Sequence, residues 1–342
     1  MTRMKAPGRR RPARHDSVAM KRRKELDERD DRARGKLLAR YADIEPDGLV
    51  TCHFSTHVEA RLADGSTEMC LLSPKVHKLL GVAVGDLVWT EAIGDERIVV
   101  ARAPRRTEVR RKRGDEDRTG HVIAANVDQM AITVAMHEPP LRTGAIDRYL
   151  VLASILGIDP LLIITKIDQT TEDDPEWEEL DPYLEMEIPI LLTSAESGAG
   201  IDELEDALRG RVTVFSGHSG VGKSSLCQAM GLDGALIAGE MSRSHGRIRG
   251  RHTTSVARLL ELPKGGWVVD TPGVRAIGLV DLERADARVH FPDFEPFAEN
   301  CTFADCLHLE EEGCAVLAAA EEGELSDARY LSYARLLDSL EE

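Results

Sequence analysis

Apolar and polar positions fall into three successive rhythms along the chain. From about Lys36 to Ala103, short β-type runs lie at Gly48–Phe54, Val58–Leu62, Thr67–Leu72, Asp86–Thr90 and Arg97–Ala101. Turn pairs separate them: Asp64-Gly65, Ser73-Pro74, Gly85-Asp86 and Gly94-Asp95. Five strands in about 70 residues predict a small closed β-barrel of oligonucleotide-binding (OB) type, with an SH3-like barrel fitting almost as well. From His121 the rhythm is α/β. Strands are expected at Met130–Ala135, Pro160–Thr165, Ile188–Thr193 and Arg211–Phe215, and helices at Gly144–Leu156, Ile201–Leu208 and from Lys223. A strand pair follows at Val256–Leu260 and Gly266–Val269. Such alternation predicts a mostly parallel sheet covered on both faces. After about Leu279 the strands stop and helical runs end in Tyr330–Leu340. The expected layout is a basic disordered tail at 1–34, an OB-type barrel at 35–106, an α/β domain at 107–278 and a helical module at 279–342.

With 342 residues and 42% hydrophobic positions, the chain has material for two or three domains. No run approaches the roughly 20 apolar residues that cross a bilayer, and no apolar signal core follows the basic N-terminus. A cytoplasmic protein without a membrane partner is expected. The formal net charge of -16 argues at face value against nucleic acid, but the charge is uneven. Residues 1–24 are basic (Arg9, Arg10, Arg11, Lys21, Arg22, Arg23), as is the expected linker from Arg102 to Arg113. Such arms attract phosphate backbones locally because salt screens the rest beyond about 10 Å, although a solvated disordered tail explains residues 1–24 equally well.

The segment Gly217-His218-Ser219-Gly220-Val221-Gly222-Lys223-Ser224, followed by Ser225, fits the phosphate-loop pattern G-x-x-x-x-G-K-[ST] between a strand and a helix. Its glycines let backbone N–H groups curl around phosphates, and the helix N-terminus adds a positive dipole end. Lys223 would reach the β- and γ-phosphates and Ser224 would ligate Mg²⁺. The base is read elsewhere. Thr165-Lys166-Ile167-Asp168 closes an apolar strand. Asp168 can accept from the N1–H and amino group of guanine, which adenine cannot match, while Lys166 lays its stem along the base. Thr193-Ser194-Ala195 ends the next strand and would offer an amide to the guanine oxygen. Asp270-Thr271-Pro272-Gly273 can hold Mg²⁺ through water and touch the γ-phosphate through Gly273. In Gly250-Arg251-His252-Thr253-Thr254, Thr254 is the preferred second Mg²⁺ ligand and switch residue, with Thr253 next.

The base readers precede the phosphate loop, the reverse of the Ras-like order, so the domain is expected to be circularly permuted. On these motifs, with Asn126-Val127-Asp128-Gln129 and the cysteine spacing below, the chain resembles the circularly permuted small-subunit-dependent GTPases of the RsgA (YjeQ) family over residues 36–342. The resemblance implies an N-terminal barrel, a permuted α/β P-loop GTPase domain and a C-terminal zinc-binding helical domain. It further implies GTP hydrolysis to GDP stimulated by the 30S subunit in late assembly, with 16S rRNA as partner; a monomer is expected. Thr165 departs from the family's usual Asn. Val274 stands where many GTPases carry the glutamine that orients water, and by resemblance His252 is the candidate for that role, its alternative being a surface or RNA-contacting histidine.

With no export signal expected, six cysteines in a chain of this size do not suggest a disulfide framework. Cys52, Cys70 and Cys227 read as small buried hydrophobes. Cys301-x₄-Cys306-x-His308-x₅-Cys314 supplies three thiolates and an imidazole, a closed structural Zn²⁺ set. Two other function classes compete: an RNA-binding module with a static nucleotide site, and an ATP-dependent P-loop enzyme, the latter opposed by Asp168 and Ser194-Ala195.

Overall fold

A computed structural model describes residues 32–111, 121–186, 188–232, 257–270, 284–338 and 340. The basic tail therefore lies outside the described residues. The first five strands are β1 (Gly48–His53), β2 (His57–Leu62), β3 (Thr67–Leu72), β4 (Leu87–Ile93) and β5 (Glu96–Arg102). They pair in the order β1-β2-β3-β5-β4, and β4 returns to β1 at Gly48↔Val88, which closes a five-stranded barrel. Only β3 and β5 run parallel among these pairs. Alternate residues point inward: Val58, Ala60 and Leu62 of β2 join Val50, Cys70, Val88 and Val99 in one core.

The basic run after the barrel is not the free linker expected from its charge. It leads into β6 (Glu108–Arg111), which forms a hairpin with β7 (His121–Ala125). Arg105 donates to both oxygens of fully buried Asp86 at 2.7 and 2.8 Å, and to Glu108 at 3.0 Å. Arg106 reaches Asp128 at 2.8 Å, and Arg110 pairs with Glu108. A buried carboxylate without a counter-charge is costly, so Arg105 is held inward by Asp86, while the Arg106 side chain stays largely exposed at its pair with Asp128. Asn126, in the left-handed region at φ 52, donates its amide to Gly85 O at 2.9 Å and accepts from the Arg106 N–H at 2.9 Å. Asp128 accepts from the Val212 N–H at 2.8 Å. The Asn126–Asp128 stretch thus fastens the barrel to the next layer.

That layer is a sheet in the order β10-β9-β8-β11-β13-β12, built from β8 (Gln129–Ala135), β9 (Asp159–Thr165), β10 (Ile190–Leu192), β11 (Val212–Ser216), β12 (Arg258–Glu261) and β13 (Trp267–Asp270). All pairs are parallel except β12 with β13. The strands carry apolar residues on both faces, as parallel sheets do. Ile132, Ile164, Val214, Leu259 and Val269 face one side, with Ile146 and Leu150 of α1 (Thr143–Leu156). Ala131, Ile163, Phe215, Leu260 and Val268 face the other, against α3 (Ile201–Leu208) and α4 (Lys223–Ala229). A short helix, α2 (Asp181–Glu185), lies between β9 and β10. The outer edge of β12 pairs with β1 at Cys52↔Arg258, so barrel and α/β layer form one continuous eleven-stranded sheet.

The C-terminal part contains α5 (Ala315–Glu321) and α6 (Asp327–Asp338). Its core of Phe291, Phe294, Val316, Tyr333 and Leu337 takes in Val151 of α1. Beside it, Arg329 of α6 donates to Asp293 at 2.7 and 2.9 Å and pairs with Asp147 of α1. No helix among the described residues is long and apolar enough to cross a membrane.

Candidate functional site

In this doubly wound sheet the chain order reverses between β8 and β11. The crevice beyond the carboxyl ends of strands at such a switch point is where α/β sheets bind ligands. Three of the motifs end there. β11 runs into the 217–222 loop and α4. Gly217 has φ 142, and a Cβ there would lie 2.2 Å from Thr133 O, so a side chain would strike the neighbouring strand. Gly220 and Gly222 also have positive φ, 84° and 100°. The Lys223 ammonium folds back onto the Gly217 and His218 carbonyls, both at 2.9 Å. Ser224 is half-buried, while His218, Ser219 and Ser225 are exposed. A recess of about 220 Å³ opens beside this loop, lined by Val134, Pro139, Arg142, Ala145, His218 and Val221 among others.

At the end of β9, Thr165 is buried, 2% exposed. Its hydroxyl lies 3.1 Å from Val134 O and also reaches Val221 O inside the loop. This contact joins segments 165–168 and 217–224 directly. Lys166 takes the left-handed conformation, φ 59, with its ammonium on Glu138 O. Asp168 is exposed, and the Ser194 hydroxyl donates to it. Ser194 in turn accepts from the Ser197 N–H at 3.1 Å, while its own N–H is spent on Ala199 O at 2.9 Å. Of the Ser194-Ala195 pair, the amide left for a base oxygen is therefore that of Ala195. The tight turn depends on Gly200 (φ 69), where a Cβ would come within 2.0 Å of Leu192 O. Asp270 ends β13, opposite Arg258 in the adjacent strand. His252, Thr253, Thr254 and Gly273 lie outside the described residues.

The four zinc-type residues converge far along the chain. The ligand atoms of Cys301, Cys306, His308 and Cys314 all lie within 4.8 Å of one another. His308 Nδ1 is 3.6 Å from Cys301 Sγ and 3.5 Å from Cys314 Sγ. A tetrahedral centre with Zn–S of about 2.3 Å and Zn–N of about 2.0 Å separates sulfur and nitrogen by about 3.5 Å, so the set fits the ion. Burial lowers the His308 pKa, keeping its ring neutral, and pushes the Cys306 thiol up to about 12. That thiol ionises against a cation, and binding one would release its proton. His308 holds φ 58 because the loop is pinned on all sides. Tyr333 donates to Leu307 O at 2.8 Å, Tyr330 to His308 O at 2.9 Å, and Glu311 accepts from the Leu307 and Leu309 N–H groups.

Sequence reasoning missed these bracing residues and the Arg329–Asp147–Asp293 cluster. Asp147 and Arg329 stand 182 positions apart, and no local pattern pairs them. An acid at a buried position of a helix, flanked by Ile146 and Leu150, was the available signal.

Residues 102–280 match the family model described as RsgA GTPase. The small ribosomal subunit biogenesis GTPase RsgA of Pseudomonas aeruginosa is 38% identical over 309 residues, 88% of each chain. That of Chlorobaculum tepidum is 43% identical over 238 residues, 70% of this chain and 75% of its own. Among solved structures, YjeQ from Thermotoga maritima superposes with a TM-score of 0.70 at 30% identity, covering 87% of this chain and 99% of that one. YloQ, a circularly permuted GTPase, superposes at 0.65 and 27% identity, covering 87% and 96%.

Proposed function

The chain belongs to the RsgA GTPase family, and from that membership and the converging loops we propose that it hydrolyses GTP to GDP and phosphate on the small ribosomal subunit. The observation that carries the reading is the Thr165–Val221 hydrogen bond, which puts the base-reading and phosphate-holding segments against one another despite their inverted order. The loop amides from Gly217 to Lys223, together with Ser224 and Ser225, take the phosphates. Lys223 exchanges the Gly217 and His218 carbonyls for β- and γ-phosphate oxygens. Asp168 accepts from the guanine N1–H and amino group, held in place by the Ser194 hydroxyl. Ala195 supplies the amide for the guanine oxygen, and Lys166 covers the base.

Mg²⁺, when bound, would neutralise phosphate charge between Ser224 and Thr254, with Asp270 reaching it through water. Gly273 contacts the γ-phosphate. His252 orients the attacking water, since Val274 has no group that can. The segments 233–256 and 271–283 that carry these residues flank β12 and β13, whose positions are fixed by the sheet.

We read the five-stranded barrel as OB type, a reading that its 1-2-3-5-4 closure with parallel β3 and β5 supports, and assign its β2–β3 face to 16S rRNA. The zinc module is structural, its four protein ligands leaving no open position. Turnover of GTP against ATP, titrated with purified 30S subunits, tests the proposal. GTP-selective hydrolysis that rises with 30S is expected. Unstimulated turnover would favour an RNA-binding module with a static nucleotide, and equal use of ATP would overturn the base assignment.

A further inference from the structure

Two helix faces from different modules meet without filling the space between them. On α1, Gly144, Asp147 and Arg148 stand three and four positions apart and share one face, as do Ser332, Arg335 and Leu336 on α6. Together with Phe291 they line a cleft of about 140 Å³. Gly144 helps to keep it open, since a Cβ there would meet only the Ser332 hydroxyl, at 4.0 Å. The volume is below the roughly 300–1,000 Å³ of a drug-sized pocket, which limits an occupant to a small molecule.

The polar groups on the walls are unevenly satisfied. Asp147 spends Oδ1 on Arg329 and Tyr183, whereas its Oδ2 is buried with no hydrogen-bond partner among the described residues. Native cores rarely leave such an oxygen unmet. Burial raises the Asp147 pKa, and the Arg329 charge and the Ser332 hydroxyl oppose the rise. A serine hydroxyl can donate to a carboxylate and accept from a ligand at once. Arg148 and Arg335 are exposed, and neither has an ion-pair or hydrogen-bond partner among the described residues. Arg329, Arg148 and Arg335 set against Asp147 and Asp293 leave one positive charge in excess, three against two.

Two guanidinium forks from facing helices suit an anion with three terminal oxygens better than a carboxylate with two. A bare anion, however, brings no donor for the inner wall. A metal ion fits worse, because the arginines repel it and one free carboxylate oxygen cannot replace the roughly six ligands it needs. We propose that this cleft is a second ligand site, which takes a small hydroxylated phosphate monoester such as a polyol or sugar phosphate. The phosphate sits on Arg148 and Arg335, a hydroxyl donates to the Asp147–Ser332 pair, and Phe291 and Leu336 cover the carbon skeleton. Because its walls come from α1 and α6, an occupant clamps the C-terminal module against the α/β layer.

The probe is glycerol 3-phosphate, titrated into the full-length chain by ligand-observed proton NMR with excess GDP present to occupy the phosphate loop. Propyl phosphate keeps the anion and loses the hydroxyls, and glycerol does the reverse. Glycerol 3-phosphate is expected to bind about tenfold tighter than propyl phosphate, the loss that goes with one hydrogen bond to a charged group. Glycerol should bind more weakly still. Arg148→Ala combined with Arg335→Ala should weaken glycerol 3-phosphate by at least about tenfold, since both charge-assisted contacts go. Gly144→Leu puts a side chain into the cleft and a better helix former into α1, so it should abolish binding with an unchanged circular dichroism spectrum. In the unaltered chain the probe should slow amide exchange in α1 and α6 together. Equal affinity for propyl phosphate would overturn the hydroxyl contact. No binding of glycerol 3-phosphate, or binding that the paired arginine variant or Gly144→Leu leaves unchanged, would overturn the site.

Discussion

Replacing Arg329 with alanine removes the grip between the C-terminal module and α1 at a single atom cluster. Its guanidinium donates to Asp293 at 2.7 and 2.9 Å, pairs with Asp147, and lies 4.6 Å above the Phe291 ring. The Arg329 and Asp147 side chains are each 3% exposed, so water cannot replace either partner. Asp147 has a further burden: its Oδ2 is buried with no hydrogen-bond partner among the described residues. Burial pushes the Asp147 carboxyl above its ordinary pKa even with Arg329 beside it, and Tyr183 holds the other oxygen at 3.0 Å. Without the arginine, two carboxylates face each other with no cation. Breaking such a buried pair costs roughly 3–5 kcal/mol, which is roughly 150- to 5,000-fold in an opening equilibrium. Hydrogen exchange of α6 amides, followed by mass spectrometry, reads that ratio directly. The loss should shrink on going from pH 7 to pH 5. A carboxyl whose folded pKa lies above its unfolded one binds more protons when folded, so its stability contribution falls as pH rises through that window. Arg329→Met combined with Asp147→Leu and Asp293→Leu replaces the cluster by apolar volume and should return protection to near the original. Exchange in Arg329→Ala within fivefold of the unaltered chain at pH 7 would refute the reasoning.

Two further outcomes follow from the sites. Asp168→Asn turns an acceptor into a donor–acceptor pair and should shift preference from guanosine to xanthosine nucleotides in competition binding; retained GDP preference would mean Asp168 does not read the base. Removal of metal by chelator, or Cys306→Ser, should cost α5 and α6 their helical circular dichroism, because structural zinc supplies roughly 10–16 kcal/mol of apparent binding free energy to such folds; an unchanged spectrum would refute a zinc-dependent module.

Much of this architecture could be read from residue order because its signals are local. A two-residue alternation places β2, and a phosphate loop between strand and helix places the turn from β11 to α4. The helix Ile201–Leu208 falls where its periodicity put it. What was not legible depends on charges meeting across long separations. The run Arg102–Arg113 reads as a basic linker, yet Arg105 is committed to Asp86 nineteen positions earlier. The hairpin of β6 and β7 was hidden by the same charges, since Glu108, Arg110 and Arg111 read as linker. Nor could strand counting reveal that β12 would pair with β1, because edge pairing depends on which edges the tertiary fold leaves open.

The two flanking modules join the α/β layer by different routes, and the strand order explains why. Chain order β8, β9, β10 fills one half of the sheet, after which the chain returns beside β8 to lay down β11, β13 and β12. The antiparallel β12 is left as an edge, and the barrel closes it through Cys52↔Arg258 and the Arg61–Glu261 pair at 3.4 Å. α1 covers one face, and its outer side is left for the C-terminal module. Arg142 just before α1 and Ala145 in its first turn line the recess beside the 217–222 loop, while Asp147, Val151 and Ser154 further along hold Arg329, the module's core and His290. Helices in close-packed interiors shift as rigid bodies between discrete positions rather than deforming. A displacement of α1 at the loop therefore moves its contacts with Arg329 and His290 by the same amount, whereas β12 meets the barrel through its pairing with β1 and the Arg61–Glu261 ion pair.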